Sequence, residues 1–142
     1  MSTQLDKVQP KNKTQLRQLI NYAFKHNIYD LNFIDTSEIT DMSLLFSNRM
    51  HNFDVSSWDV SNVTNMGYMF YHCKNFNCDL SNWDVSKVKN MNYIFYGCTN
   101  FNCDISDWDI SNMTRWKNIF CGCDKMTIPN WYKKLYIVKN KI

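Results

Sequence analysis

Six cysteines, several aspartates at recurring positions and one His-Cys pair are the residues of this chain with chemistry to offer. Cys73, Cys78, Cys98 and Cys103 recur as two pairs, and Cys121 and Cys123 flank Gly122. Convergent, deprotonated thiols would hold zinc, and sulfurs on adjacent segments could join as disulfides. Small side chains buried in equivalent places need neither, and that reading is favoured, with zinc and disulfides as the alternatives. His72-Cys73 has the form of a base beside a nucleophile. The residues before Cys98 and Cys123 are Gly97 and Gly122, however, so the cysteine belongs to a pattern that the histidine does not share. An activated thiolate also needs an exposed, electropositive setting. No phosphate-cradling loop, zinc-protease motif or nucleophile elbow is present, so no catalytic residues, no metal, no cofactor and no small-molecule substrate are expected.

The aspartates form two columns. Asp54, Asp79 and Asp104 sit where alternation would turn them outward, and Asn77, Asp79, Ser81, Asn102, Asp104 and Ser106 together make a candidate partner-binding face. The competing expectation is that the same side chains bond to turn amides and to one another. Asp59, Asp84 and Asp109 precede Ser61, Ser86 and Ser111, where a carboxylate would favour a helix N-terminus. Calcium is not expected at either column, because the glycine-containing, oxygen-rich loops of calcium sites are missing. Sequons begin at Asn12, Asn62 and Asn112, the last two inside the recurring pattern.

What must position these residues is a repeat. Trp58, Trp83 and Trp108 recur in register, as do Phe70, Phe95 and Phe120, Cys73, Cys98 and Cys123, and Phe76 and Phe101. A looser copy runs from Asp30 to Phe46, and the pattern decays where Trp116 replaces the recurring Met and Ile128-Pro129 replaces Cys-Asp. Within one copy, "FNCDL" alternates as a strand does, while Val63, Met66, Met69 and Phe70 fit two turns of helix behind Ser61 as N-cap. One copy is too short to close a core, so copies must stack, with equivalent residues about 4.8 Å apart. The expected architecture is an α/β repeat solenoid with short parallel strands and short helices. Its parts are a flexible N-terminus over 1–12, a capping helix over 13–27, about four coils over 28–128 and a C-terminal cap over 129–142. In the first cap Asn12 faces Gln15, and Leu16, Leu19, Ile20, Ala23 and Phe24 make the buried stripe. The last segment reads as a short closing helix or strand.

Of 142 residues, 44% are hydrophobic and 15% aromatic, enough for one domain with a real core. The net charge of +3 hides a division: acidic residues dominate 28–113, and basic residues dominate both ends. Lys133, Lys134, Lys139 and Lys141 beside Trp131 and Tyr132 suggest nucleic acid or an anionic membrane surface as the runner-up partner to a protein. No apolar run approaches the ~18 residues of a membrane span, and no signal peptide is visible, so a cytoplasmic location is the default expectation.

The stretches "FNCDLSNWDVSKVKNMNYIFYGC" at 76–98, "FNCDISDWDISNMTRWKNIFCGC" at 101–123 and "SSWDVSNVTNMGYMFYHC" at 56–73 resemble the BspA-like leucine-rich-repeat proteins of bacteria. The likeness extends to the leading "PKNKTQLRQLI" and to "NFIDTSEIT". It implies a curved, right-handed leucine-rich-repeat-like coil found largely on surface-exposed proteins, with adhesion or scaffold-like protein binding and no catalytic residues. Cys78 and Cys103 stand where the family more often has Gln.

Overall fold

The structure is a computed structural model that describes residues 6–140, the side chains of 139 and 140 excepted. Residues 1–5 of the expected flexible N-terminus, and Lys141 of the basic end, lie outside the described residues.

Helix α1 spans Lys13–Lys25, with Asn12 as its N-cap. The Asn12 carboxamide oxygen accepts the Gln15 N–H at 3.0 Å. Gln15 returns a bond at 2.8 Å to the N–H of Lys11, one residue earlier than a capping box would place it. Leu16, Ile20 and Ala23 are buried, and Leu19 and Phe24 pack against them, as the stripe predicts. The helix lies along residues 41–49. Lys13 Nζ donates to Ser43 Oγ at 2.7 Å, and the Arg49 guanidinium donates to Asn21. Before the helix, Val8 pairs in parallel with Ile34. Helix α2, Asn130–Asn140, closes the described chain.

Between these helices contacts between residues distant in sequence dominate, and regular elements are absent among the described residues apart from isolated parallel bridges. Those bridges run Asp41 to Asn65, Asn65 to Asn90 and Asn90 to Arg115, so each copy lies beside the next in register.

The short helices expected after Ser61 and Ser86 do not form. Leu44, Tyr68, Tyr93 and Asn118, which are equivalent in the repeat, have φ of 62°, 58°, 56° and 50°. A left-handed residue ends an α-helix, and these sit mid-way through the predicted turns of helix. The chain instead makes successive tight turns, such as Met69 N–H to Met66 O at 3.2 Å and Cys73 N–H to Phe70 O at 3.0 Å. Alternate N–H groups then point out of the segment and pair with the next one. Met66, Tyr68, Phe70 and His72 donate to the carbonyls of Asn90, Asn92, Ile94 and Tyr96 at 2.7–2.9 Å.

The strand expected at "FNCDL" does not form either, although its alternation is correct: Phe76, Cys78 and Leu80 are buried, while Asn77 and Asp79 are exposed. The reason is that side chains take the place of backbone acceptors. Asn77 N–H donates to the Asn52 side chain at 3.0 Å, Asn102 N–H to the Asn77 side chain at 3.3 Å, and Leu80 N–H to Cys103 Sγ at 3.2 Å.

The core is a large aromatic cluster. Phe46, Phe70, Phe95 and Phe120 stack at 5.7, 5.6 and 5.9 Å between ring centres, tilted by only 3°, 1° and 7°. A second file, Phe53, Phe76 and Phe101, interleaves with it at 4.2 Å for Phe70–Phe76 and Phe95–Phe101. Each such ring contributes roughly 1.5–3 kcal/mol by leaving water.

Candidate functional site

The Asn-x-Asp-x-Ser segments lie side by side on one exposed surface. In each, the aspartate closes its own turn. Asp79 Oδ1 accepts the Ser81 N–H at 3.0 Å and the Ser81 hydroxyl at 2.6 Å. Asp104 does the same with Ser106, and Asp54 with Ser56. These bonds hold all three carboxyls below the ordinary carboxylate range, the serine hydroxyl being the largest cause and the serine amide the next. Only Oδ1 is used in this way. Oδ2 of Asp79 and of Asp104 has no protein partner among the described residues.

Asn52, Asn77 and Asn102 form a parallel ladder, in which the side-chain oxygens of Asn52 and Asn77 accept the backbone N–H of Asn77 and Asn102. Three open depressions of about 420, 460 and 420 Å³ follow one another along this surface. Neighbours share Asn77, Cys78 and Asp79, then Asn102, Cys103 and Asp104, so the three join into a trough. Tyr29 lies at one end of it and Lys133 of α2 at the other. All six candidate residues, Asn77, Asp79, Ser81, Asn102, Asp104 and Ser106, are exposed and lie along it.

Asp84 and Asp109 accept from the amides of Ser86 and Ser111 at 3.0 Å. With no helix behind them, they close turns and do not cap helices as expected. The amide nitrogens of Asn62 and Asn112 donate to the carbonyls of Ser37 and Ser86 at 2.8 and 2.7 Å. Two of the three sequon nitrogens are therefore already used to join neighbouring segments.

The six cysteines are free thiols. Cys73, Cys98 and Cys123 each donate S–H to the carbonyl of a phenylalanine in the preceding copy, Phe46, Phe70 and Phe95, at 2.9 Å. Burial pushes Cys73 and Cys123 up to about 12 and Cys98 higher still. Cys73 is fully buried, so His72 and Cys73 do not form an exposed nucleophile and base. Cys78 and Cys103 line the trough, each 3.6 Å from the aspartate of the previous copy. Burial first, and then those carboxylates, raises both thiols, Cys78 to about 12. Among the described residues no cluster of histidine, cysteine and carboxylate has the geometry to hold a metal ion.

At the C-terminal end Trp131 and Tyr132 are committed to packing. Trp131 Nε1 donates to the Ile105 carbonyl at 2.9 Å, and Tyr132 meets Phe120 edge-on at 5.1 Å. Lys133 and Lys134 are exposed. No helix is long and apolar enough to cross a membrane among the described residues.

Sequence reasoning missed a second surface. Tyr68 stacks on Tyr93 at 4.8 Å, Tyr71 on Tyr96 at 5.2 Å, and Lys117 lies over the Tyr93 ring at 5.8 Å. The signal was present, since both tyrosine pairs recur in the same register as Phe70 and Phe95.

No curated protein and no solved structure matches this chain. A family model described as "Mycoplasma protein of unknown function, DUF285" matches residues 14–131, which takes in all of α1 but its first residue, every repeated segment and the start of α2. The chain belongs to the DUF285 family of mycoplasma proteins.

Proposed function

We propose that this chain is a short, right-handed, leucine-rich-repeat-like solenoid of the BspA-like kind, acting as a non-enzymatic protein-interaction module. Its contact surface is the trough along Asn77, Asp79, Ser81, Asn102, Asp104 and Ser106. The solenoid reading is supported by the parallel bridges between successive copies and by the register of the phenylalanine file. The single observation that carries the function is the unused Oδ2 on Asp79 and Asp104, on turns already fixed through Oδ1. Carboxylates held in place this way lose little freedom on meeting a partner, which lowers the ordering cost of binding. Evenly repeated negative charge suits a protein segment presenting lysine or arginine at a matching interval.

The test is the double substitution Asp79→Asn and Asp104→Asn, because asparagine can still accept from Ser81 and Ser106 while the charge is gone. A photo-crosslinking residue at Asn82 would capture the partner of the native sequence. Loss of that adduct in the double variant, with an unchanged melting temperature, supports the reading; an undiminished adduct overturns it.

The runner-up, binding of nucleic acid or an anionic membrane by the basic ends, has exposed Lys133 and Lys134 in its favour. It lacks free aromatic faces at Trp131 and Tyr132.

A further inference from the structure

The two ends of the stack are treated differently. In every copy but the last, alternate N–H groups of the turn segment donate to carbonyls of the following copy; Met91 and Tyr93, for example, donate to Arg115 and Lys117 at 2.8 Å. The equivalent donors in the last copy are Trp116, Asn118, Phe120 and Gly122, and none of these N–H groups has a protein acceptor among the described residues. Helix α2 does not supply one. It packs against Ile105 and Phe120 through Trp131 and Tyr132, with Leu135 against the core. At the opposite end α1 lies along the corresponding segment, through Lys13 against Asp41 and Ser43 and Asn21 against Arg49.

The open edge has further character. Asn92, Thr114, Arg115, Trp116 and Lys117 line a depression of about 330 Å³ beside it. Arg115 and Lys117 are exposed and make no salt bridge among the described residues. The Asn118 φ of 50° keeps its N–H in the same register as Tyr68 and Tyr93, whose N–H groups are paired.

We infer that this edge, Arg115 to Asn118, docks an extended acidic peptide segment whose backbone carbonyls accept from the N–H groups of Trp116 and Asn118 while its carboxylates meet Arg115 and Lys117. Carbonyl oxygens at alternate residues of the following copy are the acceptors that the equivalent donors meet in the other copies, and an extended chain likewise presents carbonyls to one side at alternate residues, the basis of edge addition as a recognition mode. The two cations select acidic side chains on the segment. A second copy of this chain does not fit, because its own acceptor edge at 41–47 is covered by α1. This site is separate from the trough and does not rest on the function proposed for it.

The experiment uses the full chain, labelled with nitrogen-15, and two blocked synthetic hexapeptides, alternating Glu-Val and alternating Lys-Val. The Glu-Val peptide is expected to bind, to shift the Trp116 and Asn118 amide signals and to slow their hydrogen exchange. Arg115→Glu with Lys117→Glu should weaken it about tenfold or more, since an interfacial charge reversal adds repulsion. Both side chains are exposed, and thermal melting of the variant confirms that it is folded. Asp79→Asn with Asp104→Asn should leave this binding unchanged, which separates its failure from failure of the trough. The inference is overturned by absent Glu-Val binding, by equal binding of Lys-Val, or by binding that leaves the two amides unprotected. It is overturned as well if a single-stranded oligonucleotide protects those amides and displaces the peptide.

Discussion

The indole nitrogen of Trp83 donates to the backbone carbonyl of Val55, 28 residues earlier, at 3.1 Å. Trp58 makes the same bond to Leu31, Trp108 to Leu80 and Trp131 to Ile105, at 2.9, 3.0 and 2.9 Å. Each of these tryptophans thus adds a second donor to a carbonyl that already closes a turn in the preceding copy, and Trp131 of α2 extends the series although the repeat has by then decayed. Trp83→Phe keeps most of the ring and removes one of two donors to the Val55 carbonyl, which still accepts the Trp58 N–H at 3.1 Å, and should cost about 0.5–1.5 kcal/mol. Trp83→Ala also opens a cavity and should cost about 3–5 kcal/mol. Urea denaturation of both variants measures the difference; an unchanged midpoint for Trp83→Ala would show that the column is not core.

Thiol reactivity should divide sharply. Cys121 is exposed, Cys103 is partly covered, and Cys73, Cys78, Cys98 and Cys123 are buried. A thiol-reactive dye should label Cys121 first and Cys103 more slowly, with the other four reacting only in denaturant, because a raised pKa and burial both suppress the thiolate. Mass spectrometry of the labelled peptides checks the order. Early labelling of Cys73 or Cys98 would mean that their bonds to Phe46 and Phe70 are not formed.

Acid should loosen the turns. The carboxyls of Asp35, Asp41, Asp54, Asp79, Asp84, Asp104 and Asp109 are all held below the ordinary aspartate value in the folded chain. A depressed folded-state pKa means that the unfolded chain binds protons first. The associated stability is complete well above the unfolded value, near pH 5 and higher, and is lost as pH falls below about 4 through the folded values. Thermal melting from pH 7 down to pH 2.5 should be flat and then fall. A melting temperature that rises below pH 4 would contradict the Asp-Ser bonds.

Gly97 is set by its neighbour. Its φ is +75°, and a Cβ there would lie 2.6 Å from Nδ1 of His72, the residue one copy earlier. Asn48 and His72 hold equivalent positions at φ 63° and 55°, so the backbone shape alone does not demand glycine. Gly97→Ala should cost about 1–2 kcal/mol for the left-handed conformation, plus the clash. In a His72→Ala background the clash part should disappear, and a double-mutant cycle by denaturation measures that coupling.

The sequence by itself determined which residues face inward and which copies lie side by side. Identical side chains at a fixed interval can be buried together only if equivalent positions come side by side, as the parallel bridges and the phenylalanine rings do, and the alternation of "FNCDL" follows from extended chain geometry whatever the hydrogen bonds are. It likewise determined α1, whose cap and apolar stripe are local. What it left open was the path of the backbone between those fixed points. Val63, Met66, Met69 and Phe70 have helical spacing, but Tyr68 and Tyr93 adopt positive φ, because the N–H groups of their segments find carbonyls in the next copy. In the same way Asn52, Asn77 and Cys103 replace the acceptors of a strand ladder. Both choices depend on a neighbouring copy being in contact, and no window of local sequence contains that neighbour. The trough, the tyrosine stacks and the open edge at Trp116 and Asn118 arise from the same inter-copy contacts, so only the tertiary structure could place them.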